Sequence, residues 1–510
     1  MKKPLARIIH NPWYPFTIVA YPVLALLAHN ISEVDAAAGL RLLVVALIAV
    51  SLLLLILRFI YRNGHRTAFA SAMLIALIFT YGHAFDLIFE KWKIPHLSTW
   101  MLSVWLILSV LALVWAGKRN AHFEGAALPL NVISLALVLY TAGTTIWWSF
   151  PDSSSSTPVD ENAPVQDLVP TENASMPDIY YIIIDSYARS DLLKRDFSYD
   201  NSAFIQSLED LGFYVADCSQ SNYNRTDISL ASSLNMDYLQ NLDPAFQPGR
   251  TSRHTLWESI NRSVVRTSLE KVGYETVAFA SGFVWSEFKD ATVFKTPSLL
   301  FSELTAFETL LIRTTPLRHF EDLGWINLEQ IDGERFRERT ALVFDSMDTL
   351  ARMSGPKFVF IHLIPPHPPF IYAPDGTPTD PAPFLNEHKR YTLKSYTEGY
   401  RNEVEYISGQ IKTAVEKLLA ESAAPPIIIL QGDHAPWLQT GKDNFLVLNA
   451  YYLPGHSDLL YRTISPVNTF RLVFNAYFGT HYDLLPDISY YSPIPKIYEF
   501  VEVANPCQNP

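Results

Sequence analysis

The chain has 510 residues, enough for two or three structural units, yet only 18% are charged and the mean hydropathy is slightly positive at +0.09. A net charge of −12 with no basic patch argues against a nucleic-acid-binding protein. Two cysteines exclude a four-cysteine zinc site.

The apolar excess is concentrated before residue 150. A membrane-spanning helix needs about 20 mostly apolar residues to cross about 30 Å of hydrocarbon. Five stretches qualify as candidates: Tyr14–His29, Leu40–Ile60, Ala68–Leu87, Trp100–Ala116 and Leu128–Trp148. The first is short and holds two prolines. Trp13, Tyr14, Trp100, Trp147 and Trp148 gather at span ends, as interfacial anchors do. Lys2, Lys3, Arg7, Arg58, Arg62, Arg66, Lys118 and Arg119 fall on one side of such a bundle, against Lys91 and Lys93 on the other. The positive side is cytoplasmic, so an odd number of spans delivers everything after Trp148 outside the cell membrane. Further spans follow the first and no small-residue cleavage site stands out, which disfavours a cleaved signal peptide. A transporter would carry ionisable groups inside its spans. Here only His83 and Asp86 come close, so a multi-pass anchor is the favoured reading of residues 1–150.

Residues 151–176 are rich in Ser, Pro, Asp, Glu and Asn and read as an exposed linker. Residues 177–510 then form the outer domain. Apolar strand-like runs alternate with helical stretches there, which predicts an α/β domain with a mainly parallel sheet between helices. Helices are expected over Asn201–Leu211, Ile228–Met236, Leu256–Val272, Glu334–Arg352, Thr392–Leu419 and Pro466–Phe478, with further strands at Thr276–Ala280 and Phe445–Tyr452. In an extracytoplasmic domain Cys218 and Cys507 are free to pair, or to stay as two small apolar side chains.

Three apolar runs end in polar residues suited to metal or phosphate chemistry. Ile179–Ile184 is followed by Asp185, and Phe358–Leu363 leads into Pro365-Pro366-His367-Pro368-Pro369. Ile427–Leu430 leads into Gln431-Gly432-Asp433-His434. In open α/β sheets ligands sit beyond the carboxyl ends of the strands, so these ends converge on one site. Asp185 taken alone reads equally well as a turn cap. Asp433 and His434, adjacent after a strand and a glycine, together offer an oxygen and a nitrogen to a divalent cation. Prolines around His367 present its imidazole rigidly, whereas His362 reads as a core histidine on its strand. Thr226, in Asn224-Arg225-Thr226-Asp227, enters a Ser-rich helix. It is either an N-cap or a hydroxyl nucleophile at a helix start that also favours phosphate.

Asp185, Thr226, His367 and the Asp433-His434 pair, in that order and spacing, resemble the alkaline phosphatase/sulfatase superfamily. The resemblance is nearest to its membrane-anchored branch of lipoteichoic acid synthases and phosphoethanolamine transferases. It covers most of 177–480, including Ser465–Phe470 as the late helix. It implies five spans before an outer catalytic domain, and one divalent ion (Zn²⁺ or Mn²⁺, with Mg²⁺ also fitting) on Asp185, Thr226, Asp433 and His434. It also implies that His367 contacts the phosphate or protonates the leaving group.

The function so implied is a transferase that moves a phosphoryl-linked head group, of phosphoglycerol or phosphoethanolamine type. The donor is a membrane phospholipid, the acceptor a cell-envelope glycan or glycolipid, and a phosphothreonine forms on the way. A phosphatase or phosphodiesterase on the same site, and a catalytically silent surface-binding protein, are the alternatives. The chain departs from the family pattern at Gly432, where a serine is usual, at Ala435, where a glycine is usual, and at Asp185, where the synthases carry Glu. No Cys-x-Pro-x-Arg sequence is present, so a sulfate-ester hydrolase with a formylglycine nucleophile is disfavoured. His254, His319 and His456 are the candidates for a second metal.

Overall fold

The computed structural model describes residues 11–30, 38–92, 94, 96–118, 123–149, 166–169, 176–250, 253–297, 304–380, 391–436, 444–494, 496–505 and 507. The chain divides into two compact units, residues 1–150 with 301–331, and residues 151–300 with 332–510.

The first unit contains the apolar helices α1 (Tyr14–His29), α2 (Ala38–Tyr61), α3 (Gly64–Trp92), α4 (Leu97–Gly117) and α5 (Ala127–Ser149). Helices α2 to α5 are long and apolar enough to cross a membrane. The 16 residues of α1 rise about 24 Å, less than a typical hydrocarbon core. Val44, Leu52, Leu55, Ile107, Leu111 and Val132 point outward and exposed, as expected of helices whose surroundings are lipid. Polar groups turn inward and pair. The Tyr14 amide donates to Asn131 Oδ1 (2.9 Å), and Thr17 and Ser134 share a hydroxyl hydrogen bond of 2.6 Å, which joins α1 to α5. The Tyr81 hydroxyl donates to the Ser98 carbonyl (2.8 Å) and joins α3 to α4. Hydrogen bonds and close packing hold such helices together where no hydrophobic drive exists between them.

Two short helices from far along the chain, Ala306–Arg313 and Arg318–Asp322, complete this unit. Glu308 pairs with Arg41, and Arg318 Nη1 lies 2.6 Å from Asp86 Oδ1. Sequence patterning gave no sign that these residues leave the catalytic sequence to join the apolar helices.

The second unit is the expected α/β domain. Its sheet runs β2 (Tyr214–Val215), β7 (Asn449–Tyr452), β6 (Ile427–Gln431), β1 (Ile179–Ile184), β5 (Lys357–Leu363), β3 (Glu275–Phe279), β4 (Val293–Lys295). From β6 to β4 all pairings are parallel; β7 is antiparallel to both its neighbours. Every residue of β1, β5 and β6 is buried, because apolar layers cover both faces. Ile179, Tyr181 and Ile183 enter one layer and Tyr180, Ile182 and Ile184 the other, the alternation a pleated strand imposes.

Some boundaries differ from the sequence reading. The helix expected over Leu256–Val272 is two, His254–Asn261 and Val264–Lys271, because Ser263 breaks in as an N-cap accepting from the Arg266 amide. The strand expected from Phe445 begins only at Asn449, and Leu446 and Val447 make isolated bridges to Gln220 and Ala188. Of the linker, Gln166–Val169 is described, with Leu168 buried and the Val169 amide donating to the Phe478 carbonyl (3.1 Å). Most of the remainder lies outside the described residues. Cys218 and Cys507 are disulfide-bonded across 289 residues, which fastens the C-terminal tail to the segment leading into Thr226.

Candidate metal centre and nucleophile

The three central strands set the site. β1 and β5 are in register at Ile184 and Leu363, and the Asp185 amide donates to the Leu363 carbonyl at 2.8 Å. β6 pairs with β1 up to Gln431, so Asp433 and His434 emerge beside Asp185. Asp185, Asp433 and His434 are all buried, with ligand atoms within 4.8 Å of one another.

Ser186 holds the two carboxylates in place. Its backbone is left-handed (φ 62°), a conformation rare outside glycine and asparagine. In that pose its amide donates to Asp433 Oδ1 (2.9 Å) and its hydroxyl donates to Asp185 Oδ1 (3.0 Å). Gly432 allows the approach from the other side, because a Cβ there would sit 2.5 Å from the Tyr187 carbonyl oxygen. The departure from serine at this position therefore has a steric cause in this chain.

His434 fixes the chemistry. Its Nδ1 lies 2.9 Å from the Ala435 carbonyl, which can only accept, so Nδ1 carries a proton. Its Nε2 faces inward, 3.1 Å from Thr226 Oγ1, 3.5 Å from Asp433 Oδ2 and 3.6 Å from Asp185 Oδ1. A nitrogen lone pair aimed at two buried carboxylates needs a positive charge among them. Asp433 Oδ2 is buried and has no hydrogen-bond partner. Burial, and then the charge of Asp185, push the Asp433 pKa up. For His434, burial pulls the pKa down, but Asp433 and Asp185 outweigh it and the net shift is upward. Burial also works to raise Asp185, yet the fields of His367 and His434 and its hydrogen bond with His362 hold it below its ordinary value. Two carboxylates, an imidazole nitrogen and a hydroxyl around one point fit a single divalent cation.

Thr226 is the first residue of its helix, Thr226–Asn235, and the N-cap position falls to Arg225, whose side chain makes no capping bond. The hydroxyl is thus not used as a cap. Arg225 and Arg253 both come within 3.7 Å of the carboxylate of the next residue, Asp227, and Arg225 Nη1 is buried with no hydrogen-bond partner. Sequence reasoning passed over this pair of cations, although Arg225 adjoins Thr226.

The sulfatase family profile matches residues 177–462, more than half of the chain and the whole of this site. The chain belongs to the sulfatase family. That membership makes it an enzyme of the sulfatase-like kind. No curated protein matches this sulfatase-family chain.

Among solved structures it is similar to the C-terminal periplasmic domain of EptC from Escherichia coli in complex with Zn. That match has 12% identity, a TM-score of 0.43, and covers 66% of this chain and 96% of that one. It is similar to the soluble domain of lipooligosaccharide phosphoethanolamine transferase A from Neisseria meningitidis, with 14% identity, TM-score 0.39, and 60% and 89% of the two chains covered. The integral membrane form of that transferase matches with 13% identity, TM-score 0.36 and 88% of each chain.

His362, read from the sequence as a core histidine, reaches the site of this sulfatase-family enzyme. Its Nε2 lies 3.4 Å from Asp185 Oδ2, and its Nδ1 is 2.9 Å from the Ser286 hydroxyl. The alternation of β5 places it on the face with Phe358 and Phe360, against Trp285, and Asp185, one residue beyond the end of β1, meets it there. His367 stands outside the ligand group, half-buried, with Nδ1 2.7 Å from the Pro368 carbonyl, which can only accept, so Nδ1 carries a proton and Nε2 is the nitrogen left to face a substrate. Of the other histidines, His254 faces Glu258, His319 faces Ser98 in the first unit, and His456 packs on Tyr477.

Proposed function

We propose that the chain is a membrane-bound, metal-dependent transferase. It moves a phosphoryl-linked head group of phosphoglycerol or phosphoethanolamine type from a membrane phospholipid to a cell-envelope glycan or glycolipid. The observation that carries the reading is the Thr226 hydroxyl 3.1 Å from His434 Nε2, beside the Asp185–Asp433–His434 group. Apolar helices on the same polypeptide supply the second support, since an enzyme held at the bilayer meets a lipid donor at high effective concentration. With α1 counted as a span, the catalytic unit lies across the cell membrane from the N-terminus, outside the cytoplasm.

Asp185, Asp433, His434 and Thr226 are the residues that would hold one divalent ion, Zn²⁺ or Mn²⁺ by preference. Such an ion supplies Lewis acidity, lowering the pKa of the threonine hydroxyl and polarising a phosphoryl oxygen. Thr226 gives up its hydroxyl proton to solvent and Oγ1 attacks phosphorus; the new O–P bond forms as the bond to the diacylglycerol oxygen breaks. His367 gives that oxygen its proton or contacts a phosphoryl oxygen, and Arg225 offers a further cation to the phosphate. The acceptor hydroxyl then attacks the phosphothreonine in line, losing its proton to His367 where His367 gave one up and otherwise to solvent; the Oγ1–P bond breaks and Oγ1 takes a proton from solvent, which returns Thr226 to its starting state. Ser186 keeps both carboxylates aimed throughout.

The test is Thr226→Ala in the full-length chain, assayed with labelled phospholipid and an acceptor. Turnover is expected to fall by at least about 10³-fold, while divalent metal is still bound and Thr226→Ser retains activity. Normal turnover by Thr226→Ala would refute the nucleophile. Release of head group without any acceptor, at the full rate, would replace the transferase with a hydrolase.

A further inference from the structure

The stretch from residue 304 to 326 has no part in the catalytic scheme, and most of its exposed side chains are large and apolar, with Thr305 and Asp322 the polar ones. Leu317, Leu323 and Trp325 are exposed, Trp325 by 73%. All three belong to the first unit, with the apolar helices. We propose that this stretch is an interfacial membrane element that inserts Leu317, Leu323 and Trp325 among the lipids.

Its attachments fix its depth. Glu308 pairs with Arg41 near the start of α2, Arg318 with Asp86 near the end of α3, and His319 Nδ1 lies 3.3 Å from Ser98 Oγ at the start of α4. These three points share one end of the bundle, the end remote from Arg58, Arg62 and Arg66. The turn between the two short helices goes deeper. The Gly82 amide donates to the Thr314 carbonyl at 2.9 Å, and a Cβ on Gly82 would strike the Arg313 carbonyl. Gly82 stands five residues inside the Ala68–Leu87 apolar stretch, which at helical rise is roughly 7–8 Å below its edge. Amphipathic elements at a membrane surface bury their apolar side about 5–10 Å into the headgroup and acyl boundary.

Lipid is the occupant these positions imply. Leu87, Trp92, Ile94 and Trp100, at the same end of α3 and α4, are likewise exposed and continue the lipid-facing band of the helices. Tryptophan favours this depth, where its ring is apolar and its N–H meets headgroups. Of the ionic groups of the stretch, Arg313 pairs with Glu321 at 2.7 Å and Arg318 lies over the Phe85 ring at 4.1 Å, while Asp322 is exposed at the surface, where a headgroup layer accommodates a charge.

The experiment places a nitroxide at Trp325→Cys and, separately, at Leu323→Cys in the full-length chain in phosphatidylethanolamine–phosphatidylglycerol vesicles. The native cysteines are disulfide-bonded, so only the introduced thiol is labelled. Power saturation compares collisions with oxygen, which partitions into lipid, and with a water-soluble nickel chelate. Leu106→Cys on the outer face of α4 is the lipid reference and Glu416→Cys the water reference. At 325 and 323 the oxygen-to-nickel ratio is expected to be several-fold above that of Glu416→Cys and to approach that of Leu106→Cys. A ratio equal to the water reference at both positions would overturn the proposal. Dipolar broadening between labels would overturn it too, by showing a second copy of the chain in place of lipid. If one variant does not fold, the other carries the same test.

Discussion

Gly432→Ser gives the sharpest structural prediction, because it installs the residue that the family resemblance places before the Asp-His pair. A Cβ at this position would sit 2.5 Å from the Tyr187 carbonyl oxygen and 3.1 Å from Val447 Cβ, so the first contact must open by half an ångström to reach even the 3.0 Å floor of real contacts. The carbonyl cannot swing away freely, since it accepts from the Leu448 amide at 3.1 Å. Nor can Gly432, whose own amide donates to the Leu448 carbonyl at 2.8 Å. The strain falls on the chain carrying Asp433 and His434. Overpacking of this kind costs about 1–3 kcal/mol, which for a unit of this size lowers the melting temperature by roughly 1–4 °C. Moving two ligands by half an ångström costs on the order of tenfold in turnover, given about a hundredfold for a 1 Å misplacement. Thermal unfolding of the detergent-solubilised chain, metal titration and turnover should move together, and Gly432→Ala should behave alike because it adds the same Cβ. A Gly432→Ser protein with unchanged melting temperature and metal affinity would show that the steric account of this position is wrong.

Two further outcomes follow from buried groups. Glu403 is fully buried, its Oε1 accepting from the Ile371 and Tyr372 amides while Oε2 has no hydrogen-bond partner, and burial drives its pKa well above the ordinary value. A raised carboxyl pKa means that the folded state holds the proton longer, so its contribution is complete below the unfolded pKa and declines as pH rises toward the folded one. Glu403→Gln should therefore match the wild type near pH 4 and gain stability relative to it as pH rises, read as melting temperature against pH; parallel curves would contradict this. His362→Gln removes the imidazole beside Asp185 and is expected to weaken divalent-metal binding by about 10–100-fold, as loss of an outer partner of a metal ligand does. Competition with a chelator measures it, and an unchanged dissociation constant would return His362 to the role of a core residue.

Much of the architecture was legible because it follows from local pattern. The runs Ile179–Ile184, Phe358–Leu363 and Ile427–Leu430 are too apolar for anything but central strands, and they occupy adjacent places in the sheet. The polar residues that end them were therefore found from the sequence. What escaped depends on contacts between distant segments or on single backbone angles. Ser186 follows Asp185, yet nothing in its identity announces φ 62° or a grip on two carboxylates. His362 belongs to a strand by periodicity, and only the register of β1 against β5 brings it to Asp185. The split at Ser263 was visible as an N-cap residue, but the apolar spacing of both halves masked it. Residues 301–331 lie between elements of the catalytic unit in sequence, and their place with the apolar helices is set by Arg41, Gly82, Asp86 and Ser98, more than 200 residues earlier. The Cys218–Cys507 pairing was permitted by compartment and decided by geometry.

The central claim is that Thr226 becomes covalently phosphorylated during turnover, and intact-mass spectrometry with peptide mapping addresses it directly. Full-length chain, loaded with zinc or manganese and exposed to phospholipid without an acceptor, should carry one added phosphodiester head group on the peptide containing Thr226. Adding acceptor should discharge it. Head-group release with no adduct at Thr226, or with the adduct on a different residue, would contradict the account.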